Sequence, residues 1–202
     1  MTAPVERPCT RDAVAALLPE IADHVLVCAN GFLSRWACAL GDRDASFYMI
    51  GSMGLASSIA LGIALVQPQV PVAVLDGDGN LLMNLGSLAM TGVLAPPRFR
   101  HVVLDNGVYA STGNQPTISS RVALEEIARA AGYRAVARVR DGAGIAPALR
   151  RQLAEPGPTL LLIETQPEAG PPAPRIPYTP PEMTARVAAA IARLAGAAAG
   201  TR

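Results

Sequence analysis

Gly77-Asp78-Gly79-Asn80 follows the uncharged run Val72-Ala73-Val74-Leu75, and further on Phe99 to Leu104 leads into Asp105-Asn106-Gly107-Val108-Tyr109. The two apolar runs read as buried strands, and Asn80 to Leu94 between them has helical periodicity. That is one βαβ unit. Its parallel strands end on the same sheet edge, so Asp78 and Asn106 are expected to meet in space. Glycines flanking Asp78 let backbone approach a ligand closely, and the N–H groups opening the helix favour an anion. A carboxylate from Asp78, an amide oxygen from Asn106 and a backbone carbonyl near Val108 make a hard-oxygen set suited to Mg²⁺, which can also hold two oxygens of a diphosphate.

The rest of the chain fits one α/β domain. Its 202 residues can enclose a sizeable core, and net charge is only +1, with 17 basic and 16 acidic residues scattered. Neither nucleic acid nor an anionic membrane is implied as a partner. Cys9, Cys28 and Cys38 have no CxxC spacing, and no signal peptide is seen at the start. A reducing cytoplasm is therefore expected. No charged residue occurs between Asp44 and Asp76. Gly51, Ser52, Gly54, Ser57 and Ser58 crowd the stretch, and Gln67-Pro68-Gln69 ends it, which argues for a buried helix rather than a membrane span.

Before the central unit, Thr10 is expected to cap a helix running to about Glu20, followed by a strand His24–Cys28. The turn Ala29-Asn30-Gly31 ends that strand at the same sheet edge, so Asn30, Ser34 and Arg35 can line a site there. His24 reads as a structural residue. A second short strand, Phe47–Ile50, enters Gly51-Ser52-Met53-Gly54. After the unit, Tyr109 to Thr117 reads as a polar loop. Helix Leu124–Ala131, strand Arg134–Val139, helix Ile145–Leu153 and strand Thr159–Glu164 continue the alternation. Glu164 suits a salt bridge or edge position as well as chemistry. The proline-rich segment 166–181 should wrap the surface in extended form. Pro181-Glu182 then opens a last helix buried along Met183, Val187, Ile191 and Leu194, before a frayed tail. The expected fold is a single doubly wound domain over 1–202, with a mostly parallel central sheet and helices on both faces.

The GDG turn, its spacing to Asn106 and the strand–turn–helix context resemble the signature of thiamine-diphosphate enzymes, specifically their diphosphate-binding domain. The resemblance implies that Asp78 and Asn106 are side-chain ligands of Mg²⁺, with Val108 supplying a carbonyl. Gly77, Gly79, Asn80, Tyr109 and Asn30 would border the cofactor. Family members usually have two asparagines where this chain has Asp105-Asn106; the second carries the metal contact. The Gly51-Ser52-Met53-Gly54 run is similar to the family motif that wedges an apolar side chain beneath the cofactor. Met53 would be the wedge, a role its polarizable thioether suits, and the Gly51 carbonyl would accept from the aminopyrimidine.

Within this family the chain resembles the β subunit of sulfopyruvate decarboxylase and the C-terminal part of phosphonopyruvate decarboxylase. Ser34-Arg35, the run from Phe47 to Gly62, Leu104 to Thr117 and Arg175-Ile176-Pro177-Tyr178-Thr179-Pro180 carry the likeness. Implied substrates are three-carbon 2-oxo acids bearing a phosphonate or sulfonate. Ser111, Thr112, Asn114, Gln115 and Arg35 are candidate donors to such an anion. The glutamate that activates the aminopyrimidine lies on another domain in this family, and Glu20, Glu125, Glu126, Glu155 and Glu182 are poorly placed to replace it. A separate pyrimidine-binding subunit is therefore expected, in a hetero-oligomer with two or more copies of each half. Two alternatives stand beside this decarboxylase: a subunit of an acetolactate-synthase-like carboligase, and a non-catalytic cofactor-binding scaffold module.

Overall fold

The computed structural model describes residues 6–168 and 170–199. Six parallel strands form the central sheet: β1 (Val25–Cys28), β2 (Ser46–Tyr48), β3 (Val72–Gly77), β4 (Phe99–Asp105), β7 (Ala135–Val139) and β8 (Thr159–Glu164), in the order β2-β1-β3-β4-β8-β7. A two-stranded antiparallel hairpin, β5 (Val108–Tyr109) with β6 (Gln115–Pro116), stands outside it. The helices are α1 (Thr10–Leu17), α2 (Phe32–Gly41), α3 (Ala56–Val66), α4 (Asp78–Leu82), α5 (Gly86–Leu94), α6 (Leu124–Ala131), α7 (Ile145–Leu153) and α8 (Pro180–Ala199).

Right-handed crossovers place α2 and α7 on one face and α3 to α6 on the other, because the chain moves to opposite sides in the two cases. Alternation along the inner strands feeds both cores. Val102 and Leu104 join one apolar cluster, and Val103 joins the other with Leu160 and Leu162. Close helix packing on the second face depends on Gly92, where an added Cβ would lie 1.8 Å from the Ala131 carbonyl oxygen. The order reverses at β1 and β3, so the crevice at their carboxyl ends is where an open α/β sheet takes a ligand.

Several sequence expectations need correction. The helix expected over Asn80–Leu94 starts at Asp78 and is two helices, broken across Met83–Leu85 where the Asn84 amide donates to the Gly54 carbonyl at 3.0 Å. Tyr109 to Thr117 is not simply a loop but carries the β5–β6 hairpin. Cys9, not Thr10, caps α1, its sulfur accepting from Asp12 N at 3.4 Å. α1 gives way to a 3₁₀ turn at Leu18–Ile21. His24 has a partner after all, the Asp23 carboxylate at 2.7 Å. Glu164 proves to be an ion-pair residue, holding Arg7, Arg138 and Arg140.

The apolar stretch after Asp44 yields only the 11-residue α3, and among the described residues no helix is long and apolar enough to cross a membrane. α3 is not buried all round. Ala56, Ala60, Leu61 and Ala64 face the core, while Leu65 and Val66 are exposed. α8 does bury Met183 and Val187, with Ile191 and Leu194 packed on the same core. Between Pro167 and Thr179 the described residues form no helix or strand. Ala169 and the expected frayed tail at 200–202 lie outside the described residues.

Candidate functional site

The first wall of the crevice comes from β3 and β4. Their register sets Gly77 opposite Leu104, so Asp78, one residue on, and Asn106, two residues on, leave the sheet at the same edge and line one cleft. Asp78 opens α4 and is buried. Burial, with a smaller contribution from the Asp105 charge, raises its pKa to about 6, and hydrogen bonds from Thr117 and the Gly79 N–H partly offset this. Its Oδ2 accepts from the Thr117 hydroxyl. Asn106 Oδ1 accepts from Val108 N at 3.0 Å, an Asx turn that bends the chain so that Val108 lines the same cleft. Asp105 is turned to structural work, accepting from Gly107 N at 3.1 Å and from Ser119 Oγ at 2.7 Å. Gly79 is required by close approach: a Cβ there would sit 2.5 Å from Tyr109 Cε1.

Behind this wall is a buried polar network that sequence reasoning missed. Asp76, 1% exposed, accepts through Oδ1 from Gly77 N at 2.9 Å and from the Asn80 amide, and through Oδ2 from His101 Nε2 at 3.1 Å. His101 Nδ1 meets the Tyr133 hydroxyl at 3.1 Å. Asn80 Oδ1 in turn accepts from Gly54 N at 2.7 Å. One carboxamide thus ties the GDG turn to the Gly-Ser-Met-Gly turn. In that second turn Ser52 holds φ +56 and Gly54 φ +91. A non-glycine residue in the left-handed region costs free energy and persists where the surroundings over-determine it. Met53 lines the cleft, whereas Gly51 and Ser52 lie just outside its lining. An added Cβ at Gly51 would meet nothing within 4 Å, so no crowding within the chain demands glycine there.

The opposite wall is built from the end of β1 and the start of α2, with the hairpin and the proline-rich segment closing over it. Asn30, Gly31, Phe32, Ser111 and Thr112 line it, and Gly31 takes φ +93. Asn30 Oδ1 is enclosed without a hydrogen-bond partner. Asn114 and Gln115 are not brought to the cleft: they are exposed on the hairpin, where Gln115 Oε1 accepts from Thr112 Oγ1 at 2.9 Å. Arg35 and Ser34 lie in an adjoining groove. Ser34 is no free donor, since its hydroxyl is held by the carbonyls ending β1 and β2.

A glutamate not considered from the sequence, Glu168, reaches the cleft. It lines the cleft beside Thr10, and its Oε2 is enclosed without a partner. Burial pushes its carboxyl pKa up, with partial relief from Trp36 and Thr10. No periodicity marks a residue in a proline-rich strap as facing inward. Asp76 did carry a signal, being a charged residue at the end of a strand already assigned to the site's edge, and Thr117 ended the polar loop expected there.

Among the described residues, no cluster of three or more His, Cys, Asp or Glu side chains could hold a metal. The Asp78, Asn106 and Val108 set is of another kind, one carboxylate with neutral oxygens, which leaves positions for ligands brought by a cofactor. The open space at Gly51 and the unpartnered Asn30 oxygen fit the same picture.

A parallel α/β sheet with hard-oxygen groups at its switch point defines a domain that binds a phosphorylated cofactor. Residues 30–163 match the family described as thiamine pyrophosphate enzyme, C-terminal TPP binding domain. The chain is 47% identical over 162 residues to phosphonopyruvate decarboxylase of Streptomyces viridochromogenes, covering 80% of this chain and 41% of that protein. It is 36% identical over 156 residues to sulfopyruvate decarboxylase subunit beta of Methanococcus maripaludis, covering 77% of this chain and 83% of that subunit. A solved putative thiamin diphosphate-dependent enzyme from Mycobacterium smegmatis shares the fold, with TM-score 0.65, 23% identity and coverage of 82% and 33%. The chain belongs to the thiamine pyrophosphate enzymes, through their C-terminal cofactor-binding domain, and its cofactor is thiamine diphosphate. It spans less than half the length of the phosphonopyruvate decarboxylase it matches.

Proposed function

We propose that this chain is the diphosphate- and Mg²⁺-binding subunit of a split 2-oxo acid decarboxylase, acting in the cytoplasm on 3-phosphonopyruvate or 3-sulfopyruvate. The products are the corresponding aldehyde and CO₂. The observation that carries this reading is the cleft lined by Asp78, Asn106 and Val108, on a chain 36% identical to a sulfopyruvate decarboxylase subunit named beta. Residues 1–202 would then form one diphosphate-binding domain, with segment 166–181 leading to the last helix.

Bound here, thiamine diphosphate would supply a nucleophilic carbon and an electron sink for loss of CO₂. The chain's own residues bind and orient. Asp78, Asn106 and the Val108 carbonyl would hold Mg²⁺ for the diphosphate, and the N–H groups opening α4 would favour the same anion. A cation beside Asp78 restores the ionised carboxylate that burial disfavours. Met53 supports the cofactor from below, and Gly51 offers its carbonyl to the aminopyrimidine. An activating glutamate and the pyrimidine pocket come from a separate chain. Leu65 and Val66 of α3 and Met90 and Val93 of α5 are exposed, and such an apolar face suits a partner subunit.

Coexpression with a chain carrying a pyrimidine-binding domain tests the reading. CO₂ release from 3-phosphonopyruvate or 3-sulfopyruvate, with aldehyde in equal amount, is expected. A condensation product formed when a second aldehyde is added, in place of the simple aldehyde, would turn the assignment to a carboligase. Cofactor uptake without turnover in every such complex would turn it to a scaffold.

A further inference from the structure

The cofactor cleft continues at Asn30, Gly31 and Ser111 into a second groove, whose far side carries Arg35 and Arg175. All of its charges have one sign. No aspartate or glutamate lines the groove, and among the described residues neither guanidinium makes an ion pair or a hydrogen bond. The segments that carry them are nevertheless anchored. Arg35 lies in the first turn of α2, its guanidinium 5.4 Å from the centre of the Phe32 ring. Its neighbour Ser34 is pinned to the ends of β1 and β2. Arg175 belongs to a strap anchored one and three residues on: Ile176 packs on the core, and Tyr178 donates to Asp42 while its ring carries Arg186 at 3.9 Å.

The groove also borders the N-terminus of α2, which has no side-chain cap at Gly31. Unsatisfied N–H groups there add to the positive potential. Two arginines that lack carboxylates, lie on anchored segments and share one groove suit an anion, because only their side chains are left to be ordered on binding. That anion is not the diphosphate, whose place is fixed across the cleft at Asp78 and Asn106. Met49 and Ile50, immediately before the Gly51 turn, form another side of the groove, so a molecule seated there abuts the cofactor along its flank.

We propose that Arg35 and Arg175 together form a binding subsite for a tetrahedral oxyanion, the phosphonate or sulfonate on C3 of the 2-oxo acid, with Ser111 as a neutral donor between the subsite and the cofactor. This rests on the decarboxylase reading and deepens it. The cofactor-binding subunit then selects the substrate as well. A guanidinium pair favours the tetrahedral anion over a methyl group, which offers nothing to accept its hydrogen bonds.

The test uses the chain coexpressed with its pyrimidine-binding partner, loaded with thiamine diphosphate and Mg²⁺ and titrated calorimetrically with 3-phosphonopropionate, 3-sulfopropionate and propionate, which lack the reactive carbonyl. The first two are expected to bind and propionate not to, the stronger of the two identifying which anion the groove takes. Arg175→Ala and Arg35→Ala should each weaken binding about 10- to 100-fold while cofactor uptake is unchanged. Arg175 is exposed, so its loss leaves folding intact. Equal binding by wild type and both variants, or no binding by a wild type that still takes up cofactor and Mg²⁺, overturns the subsite alone. A wild type that takes up neither overturns it together with the reading beneath it.

Discussion

On the β3–β4 wall of the cleft, every side-chain polar atom of Asp76 and Asn80 has a partner within the chain. On the β1–α2 wall, Asn30 Oδ1 and Glu168 Oε2 are enclosed with none. A satisfied buried network rigidifies what it holds, whereas an unpaired enclosed polar atom costs about 1–3 kcal/mol in the free protein. The contrast teaches that the metal-binding half of the site is finished by folding, and the other half is finished by what binds. Removing a partnered atom of the Asp76–Asn80 network should therefore lower stability, whereas removing an unpartnered atom of the other wall should hold or raise it.

The largest effect belongs to Asp78→Ala. It removes the anionic metal ligand and should weaken Mg²⁺-dependent uptake of thiamine diphosphate by more than about 100-fold in calorimetry. Thermal stability should hold or rise, since the lost carboxylate is disfavoured by burial. Asp76→Ala comes next and behaves differently. It strands the His101 and Asn80 donors in the interior and should lower stability by about 3 kcal/mol. Because Asn80 then loosens its hold on Gly54, cofactor affinity should fall about tenfold as well. A stable Asp76→Ala protein with unaltered affinity would remove the network from the argument. Gly79→Ala is smaller, about 1–3 kcal/mol, because the atom it strikes belongs to the Tyr109 ring, which can move. Gly79→Ala combined with Tyr109→Ala should recover most of that loss in denaturant unfolding.

Much of the fold was legible from local pattern. Helices Leu124–Ala131 and Ile145–Leu153 and strand Thr159–Glu164 fall where periodicity and apolar runs place them. That Asp78 and Asn106 line one cleft was legible too, because β3 and β4 follow each other closely in sequence and pair as neighbours, so their ends share one edge. The break at Met83–Leu85 was not: it depends on Asn84 reaching Gly54, a contact between segments far apart in sequence. The Asp76–His101 pair depends likewise on strand register, in which His101 faces Val74 and its ring reaches Asp76. The hairpin pairs only two residues a side, too few for any period to show. Glu168 sits in a segment whose prolines hide which way a side chain faces.

Asn30→Ala probes the unfinished wall. Removing an enclosed oxygen that has no partner should leave the free chain as stable or up to about 1 kcal/mol more stable, since relief of the unpaired atom offsets lost packing. Cofactor affinity should drop about three- to tenfold. Loss of stability with no change in affinity would mean that this wall, too, is completed within the chain.

The smallest expected effect is at Glu168, and its sign follows from the direction of the pKa. Burial raises the carboxyl pKa in the folded chain, so the ionised form is the one the fold disfavours. Above the raised value, wild type should be slightly less stable than Glu168→Gln. Below the usual carboxylate range both folded and unfolded chains are protonated, and the difference should vanish. A diphosphate entering the same cleft disfavours the carboxylate further. Affinity for thiamine diphosphate should then decline in wild type, relative to the variant, as pH rises through the raised pKa. The gap should reach about two- to fivefold, the scale of a partly solvated charge pair. Parallel pH profiles for wild type and Glu168→Gln would show that this carboxyl does not sense the anion, leaving Asn30 as the one atom of that wall whose partner the ligand must bring.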